Sequence, residues 1–250
     1  MSDFDRNIAA SRFGTDRAMA IDAGLRAHMM RVYNYMAAGV ALTGVAAWVV
    51  FQMAVTEEGG RLLLTPFGAT LLNSPLKWVV LFAPLALVFF LGFRIQTMAA
   101  GTARALFFFY AGLLGVSLTP ILIHYTHDSV ARVFFISAAS FGALSLWGYT
   151  TRRDLSAFGS FLIMGLVGIV IASLVNIFLA SSALQFVISV IGVIVFAGLT
   201  AWDTQKIKEM YSPMDDGTVA GRKAVMGALA LYLDFVNLFL MLLQLFGNRR

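Results

Sequence analysis

The sequence predicts an all-α fold, that of a polytopic membrane protein with seven transmembrane helices. Two features of the composition lead to this prediction: 60% of the 250 residues are hydrophobic and only 12% are charged. Soluble domains carry about 25% charged residues, so a water-soluble chain of this length could not hide so much apolar surface. The third observation is that the apolar residues fall into seven runs long enough to cross a bilayer.

A spanning helix needs about 20 mostly apolar residues. By this criterion the predicted spans are residues 30–54, 77–95, 103–125, 130–150, 158–180, 184–205 and 224–246. The Ala-Ser-Ser-Ala loop at 180–183 is so short that the fifth and sixth helices must be adjacent and antiparallel. Residues 55–76 contain two Gly- and Pro-bearing turn sequences, which predict an external loop with room for a short surface helix.

The seven spans divide the chain into an amino-terminal tail (1–29), a transmembrane domain (30–246) and a short carboxyl-terminal tail (247–250). In the amino-terminal tail, Ile21 and Leu25 recur at helical spacing beside arginines. This pattern is typical of an interfacial amphipathic helix on the inner membrane surface. A mobile tail with some residual helix is the alternative. A tail of this kind could also serve as a handle for a protein partner.

The distribution of Lys and Arg predicts the orientation. If the amino terminus is cytoplasmic, thirteen of the 18 basic residues fall on the inner side and five on the outer side. Cytoplasmic loops carry the excess of basic residues, so we expect a cytoplasmic amino terminus and a carboxyl terminus outside. The tail mixes four Arg with four Asp and lacks the pattern of a cleavable signal peptide.

Several function classes have no support in the sequence. The chain has no cysteine, which excludes disulfides, thiolate metal sites and cysteine nucleophiles. It shows no Walker A loop, no H-E-x-x-H and no G-x-S-x-G motif, so we expect a non-enzymatic function without a cofactor. The basic residues follow topology rather than forming one patch. The expected surroundings are therefore the lipid bilayer, and nucleic acid is not an expected partner.

Two carboxylates, Asp203 and Asp234, stand in otherwise apolar helical runs, whereas the other eleven acidic residues lie in tails, loops or segment ends. An ionised carboxylate at bilayer depth costs about 2.5–3.5 kcal/mol on insertion scales, so it is a functional candidate. Asp203 could alternatively be a helix-end acid neutralised by Lys206. Asp234 lies 11 residues beyond Lys223, roughly 16 Å along a helix, so it must face protein or a water-filled cavity.

The predicted hairpin of the last two helices can bring the two aspartates together. The flanking lysines place Asp203 only about 5 Å deep, a mismatch of roughly 11 Å with Asp234, so pairing requires the seventh helix to begin below the membrane surface. Two close carboxylates cannot both ionise cheaply, and the pair would share a proton and titrate as a unit. Oxygen-only ligands favour a hard ion such as Ca²⁺. Asp203 and Asp234 are therefore the candidate pH sensor, gate and Ca²⁺ ligands.

Two further features carry candidate chemistry. Asn237 lies three residues after Asp234 on the same helix face and is the candidate supporting polar residue. His124, His127 and Asp128 could hold a transition metal, although a solvated helix end explains them equally well.

Two segments carry a specific resemblance: Gly198–Lys208 (GLTAWDTQKIK) and Leu231–Phe239 (LYLDFVNLF). They resemble the last two helices of the Bax inhibitor-1 family (the transmembrane Bax-inhibitor-motif group), most of all its bacterial branch. The similarity extends over about residues 30–246. The bacterial-type motifs, together with the absence of a targeting peptide pattern, favour a bacterial inner membrane over the alternative of a eukaryotic organelle. The resemblance implies a seven-helix fold with the last helix central and wrapped by the other six. It also implies a pH-dependent Ca²⁺ leak channel whose di-aspartyl sensor falls on Asp203 and Asp234.

The resemblance has two further implications. Family members can use an arginine of the second helix as a latch on the first aspartate, and Arg94 is the candidate here by position. Some proteobacterial members resemble modulators of the membrane-bound ATP-dependent protease that clears damaged membrane proteins. Under that alternative the amino-terminal tail is the functional part and the aspartates chiefly set stability.

Overall fold

The computed structural model describes the backbone of residues 3–59 and 61–250, and the side chains of residues 21–59 and 62–250. Within these residues the chain forms eight α-helices and one two-stranded hairpin. They are α1 (Asp3–Ala54), β1 (Val55–Glu58), β2 (Arg61–Leu64), α2 (Pro66–Asn73), α3 (Leu76–Arg94), α4 (Ala100–His124), α5 (His127–Thr150), α6 (Ser156–Leu179), α7 (Ser182–Glu209) and α8 (Gly217–Phe246). Every helix except α2 is long and apolar enough to cross a membrane, which confirms the predicted all-α fold and the number of spans.

Three helices extend beyond the predicted spans at one end of the bundle. α1 runs unbroken from Asp3, so the described part of the amino-terminal tail and the first span form one helix. α7 continues to Glu209, and α8 begins at Gly217, where the Asp216 side chain accepts a hydrogen bond from the Val219 amide (2.7 Å). The predicted spans are shorter than these helices because charged residues interrupt an apolar run. Lys, Arg and Glu are nevertheless good helix formers, so the helix continues through them. The end that carries these extensions is called the basic end.

The segment between α1 and α3 folds at the other end of the bundle. Thr65 caps α2 by accepting from the Gly68 amide (3.0 Å) and also donates to the Met53 carbonyl oxygen (2.7 Å). The short surface helix thus accords with the sequence. The antiparallel β1–β2 hairpin was not predicted, because two four-residue strands present too short an alternation to detect. Its turn uses Gly59 at a positive φ of 61°.

The last helix occupies the centre of the bundle. In α8, 61% of the most apolar 18-residue stretch is buried, against 11–39% in the other six spans. α8 packs against α1, α4, α5 and α7, whereas α3 and α6 pack chiefly on α4 and α7. The last helix is therefore central, as the resemblance implied, but it has four close neighbours rather than six.

Close backbone contacts at two glycines fix the helices around the centre. A Cβ on Gly115 of α4 would overlap the Thr43 carbonyl oxygen of α1, and a Cβ on Gly148 of α5 would overlap the Ala201 carbonyl oxygen of α7. Small residues allow transmembrane backbones to approach this closely. The second contact lies two residues before Asp203 and sets its position relative to α5.

Candidate functional site

The register between α7 and α8 determines where the two aspartates lie. Gly227 of α8 faces Ile207 of α7, since a Cβ at Gly227 would lie 3.0 Å from Ile207 Cγ2. Because the helices are antiparallel, this register places Asp203 beside the turn that carries Asp234. α8 begins ten residues before Gly227 and so passes well beyond the end of α7. This stagger fits the expectation that the last helix begins well before the level of Asp203.

The side chains of Asp203 and Asp234 are neighbours, and their carboxyl groups interact across the α7–α8 interface. Asp234 is 5% exposed and Asp203 is half-buried. Among the described residues, Asp234 Oδ2 has no hydrogen-bond donor. Ionised carboxylates only accept hydrogen bonds, so the carboxyl–carboxyl contact becomes a hydrogen bond when one group carries a proton. The arrangement can hold one proton or, after losing it, present two negative charges to a cation.

Lys206 lies three residues after Asp203 on α7, near enough for its charge to influence that carboxyl group. The Lys206 ammonium lies 4.8 Å from the centre of the Trp202 ring, a cation–π contact that holds it near the helix surface. Arg94 is exposed at the end of α3 and makes no hydrogen bond or ion pair with Asp203. The structure therefore does not bring the candidate latch to the carboxyl pair.

The remaining candidate residues make no hydrogen bond to the pair among the described residues. The Asn237 amide nitrogen donates to the Leu233 carbonyl oxygen (2.9 Å), within its own helix. His127 meets the Phe51 ring edge-on, with ring centres 5.0 Å apart. Throughout the part of the chain that the structure describes, no three His, Asp or Glu side chains gather as a metal site. His124 at the end of α4 and His127 and Asp128 at the start of α5 thus form no transition-metal cluster.

A chain of hydroxyl groups beside the aspartates was not predicted from the sequence. The Tyr33 hydroxyl of α1 lies 2.7 Å from Ser145 Oγ of α5, which lies 2.9 Å from Thr204 Oγ1 of α7. Thr204 also donates to the Thr200 carbonyl oxygen (2.7 Å) and follows Asp203 directly. Ser145 and Thr204 are polar residues within apolar helices, and that signal could have identified them. The chain joins three helices next to the carboxyl pair.

The basic end of the bundle carries a second group of charges. Lys223 and Asp215 form an ion pair of 2.6 Å, so Lys223 does not mark the same depth as Lys206 on the neighbouring helix. His28 is buried, and its ring centre lies 5.8 Å from the ring centre of Tyr211. The sequence analysis had measured the depth of Asp234 from Lys223 and that of Asp203 from Lys206. Because the two lysines lie at different levels, the two estimates differ although the side chains meet.

Comparison with known proteins agrees with this architecture. The family model described as "Inhibitor of apoptosis-promoting Bax1" matches residues 25–250. The inner membrane protein YbhL of Escherichia coli K12 is 48% identical over 230 residues, which cover 91% of this chain and 94% of that protein. A Rickettsia prowazekii protein is 49% identical over 238 residues (94% of this chain, 95% of that protein). A Caulobacter vibrioides protein is 45% identical over the full length of both chains.

The family match spans all seven transmembrane helices and includes both aspartates. Together with the seven apolar helices, the Escherichia coli relative identifies a multi-pass inner membrane protein. The chain belongs to the Bax inhibitor-1 family.

Proposed function

We propose that this protein is a pH-sensitive leak channel for cations, with Ca²⁺ as the transported ion, gated by Asp203 and Asp234. The observation that carries the proposal is the contact between the two carboxyl groups in the core of the bundle. A buried carboxylate needs a partner, and the partner of Asp234 is another acid. Such a pair suits a proton-controlled gate better than a purely structural contact.

The gate works through the charge on the pair. With one proton shared, the contact is a hydrogen bond that holds α7 against α8. When the proton leaves, two negative charges face each other in a region of low dielectric and repel strongly. Separation of α7 and α8, or entry of a cation between the carboxylates, relieves this repulsion. Ca²⁺ accepts carboxylate, carbonyl and water oxygens, and the carboxylates provide the charged part of that set.

In this proposal the basic end of the bundle faces the cytoplasm, with the carboxyl terminus outside. The excess of Lys and Arg at the ends and loops of that side supports this orientation. The aspartates then lie towards the cytoplasmic half, since α7 ends six residues after Asp203.

The direct test is Ca²⁺ flux into liposomes that carry the purified protein, compared with the Asp203→Asn, Asp234→Asn double variant. Measurements from about pH 6 to about pH 8 bracket the range expected for a carboxyl pair that shares a proton. We expect flux that rises with pH and loses its pH dependence in the double variant. Flux no greater than that of empty liposomes at every pH would contradict the channel.

A second candidate function has one observation in its favour. α1 comprises 52 residues, about 78 Å of helix, whereas the hydrocarbon core is about 30 Å thick. The helix can therefore project beyond the membrane and offer a surface to a membrane-bound ATP-dependent protease. Deletion of residues 2–20 tests this idea without removing Met29, which is buried in the bundle. Ca²⁺ flux should survive the deletion, whereas protease modulation should not.

A further inference from the structure

A groove between α1 and α5 opens at the basic end of the bundle. Both helices pack on α8 and not closely on each other. The space between them measures about 610 Å³, within the roughly 300–1,000 Å³ range of small-molecule sites. Met30 and Leu146 line its sides and are 55% and 63% exposed. The Tyr33–Ser145 hydrogen bond crosses between the two helices at this level.

A glycine provides the room along the α5 side of the groove. Gly142 lines it, and no described atom outside its own stretch of α5 lies within 4 Å of the position that a Cβ would take. A leucine at this position would therefore enter open space rather than displace protein. The apolar part of the groove has the form of a slot that faces the bilayer.

The mouth of the slot is positively charged. Arg26 is the charged residue among those that line the groove, and Tyr149 lies across from it on α5. Lys208 reaches the same point: its ammonium donates to the Tyr149 carbonyl oxygen (2.9 Å) and lies 5.2 Å from the Tyr149 ring centre. Asp22, one helical turn before Arg26, is exposed and lies outside the lining. The groove thus combines an apolar slot with a basic mouth.

We propose that this groove binds an anionic glycerophospholipid of the surrounding membrane, with its phosphate group at Arg26 and an acyl chain along Met30, Gly142 and Leu146. Basic pockets between transmembrane helices attract anionic lipid headgroups. The groove adjoins Ser145, whose hydroxyl bonds to Thr204 beside Asp203, so a bound lipid would contact the hydroxyl chain next to the carboxyl pair. Lipid binding itself does not depend on the proposed ion flux.

The test is a titration of the purified full-length protein, in a non-ionic detergent, with phosphatidylglycerol and with phosphatidylcholine of identical acyl chains. Native mass spectrometry reports the fraction of protein that carries each lipid. We expect phosphatidylglycerol to bind more tightly. Arg26→Gln should weaken phosphatidylglycerol binding about fivefold, the size of one basic contact, and leave phosphatidylcholine binding unchanged. Arg31→Gln is the matched control, because Arg31 is exposed on the same helix outside the groove.

A second pair of variants tests the slot independently of charge. Gly142→Leu should weaken the binding of both lipids, whereas Gly168→Leu should leave both unchanged. Gly168 is exposed on α6, and no described atom lies within 4 Å of its Cβ position, so the substitution is matched. Equal affinities for the two lipids in the wild type would overturn the proposal. So would equal losses in Arg26→Gln and Arg31→Gln, or in the two leucine variants.

Discussion

The hydroxyl oxygens of Thr43 and Tyr232 lie 2.6 Å apart in the buried interface between α1 and α8. Tyr232 is 0% exposed. The Thr43 hydroxyl oxygen also lies 2.9 Å from the Ala111 carbonyl oxygen of α4, to which it can donate. This contact ties the central helix to two of its neighbours through polar groups. Substitutions at these two residues can therefore measure how much hydrogen bonds in the core contribute to the free energy of unfolding.

We expect Thr43→Val to lower the free energy of unfolding more than Tyr232→Phe does. The valine leaves the Tyr232 hydroxyl buried without this partner, at a cost of about 1–3 kcal/mol. The phenylalanine removes the hydroxyl, and Thr43 keeps its carbonyl partner, so the loss should be near the average of about 0.6 kcal/mol for membrane hydrogen bonds. Unfolding in mixed micelles with increasing dodecyl sulfate measures both. The reverse order would show that the hydroxyl contact does not stabilise the interface.

Single substitutions in the carboxyl pair should remove the pH response of the leak. In Asp234→Asn and in Asp203→Asn, the amide cannot share or release the proton, so one ionisable group is left where two interacted. Ca²⁺ flux into liposomes, measured across the same pH range for both variants and for the wild type, provides the comparison. An unchanged pH profile in both variants would exclude the pair as the sensor.

The cation beside Asp203 should set the pH at which the leak opens. Lys206→Gln removes a positive charge that favours the ionised pair, so the midpoint of the pH response should move to higher pH. Arg94→Ala tests the latch that the family resemblance implies. If Arg94 is the latch, this substitution should raise the basal leak. If Lys206→Gln leaves the midpoint in place and Arg94→Ala shifts it, the controlling cation is Arg94.

Two glycine-to-alanine substitutions should have opposite effects on stability. Gly148→Ala places a methyl group against the Ala201 carbonyl oxygen of α7, and overpacking of this kind costs about 1–3 kcal/mol. Gly168→Ala meets no described atom within 4 Å and should gain up to about 1 kcal/mol from helix propensity. Micelle unfolding of both variants is the measurement. Equal effects would mean that the α5–α7 contact is looser than described.

The proposed orientation can be tested because the chain has no cysteine. Ser182→Cys lies at the first residue of α7, next to the α6–α7 loop, and Met214→Cys lies in the α7–α8 loop; both positions are exposed. A membrane-impermeant maleimide added to intact bacterial cells with a permeabilised outer membrane should label position 182 alone. After disruption of the inner membrane, both positions should react. Labelling of position 214 in intact cells would reverse the orientation.

The sequence predicted the number and order of the spans because each apolar run is long enough to be recognised without knowledge of its neighbours. The predicted positions of the helix ends at the basic end were less accurate, because charged residues end an apolar run but can continue a helix. The relative depth of Asp203 and Asp234 was misjudged for the same reason: Lys223 pairs with Asp215 instead of marking the membrane surface.

Packing partners could not be predicted from spacing alone. Gly165, Gly168 and Ala172 of α6 are small residues spaced three and four apart, a spacing that favours close helix packing, yet no described atom outside α6 lies within 4 Å of the Cβ position of Gly168. Gly148 stands outside that series and makes one of the closest backbone contacts in the bundle. Likewise, the Tyr33–Ser145 hydrogen bond joins residues 112 positions apart. Such contacts depend on the rotation of two helices about their axes, which a hydropathy pattern leaves open.

The burial of α8 bears on how the protein is made. The ribosome extends a chain at about 5–20 residues per second, and the helix that all four inner neighbours require is synthesised last. The α1–α4 and α6–α7 pairs can form before it emerges, but they must enclose a space that lipid or the insertion machinery fills in the meantime. A stop codon that removes α8 should therefore leave an inserted yet unassembled chain, a natural substrate for membrane-protein degradation.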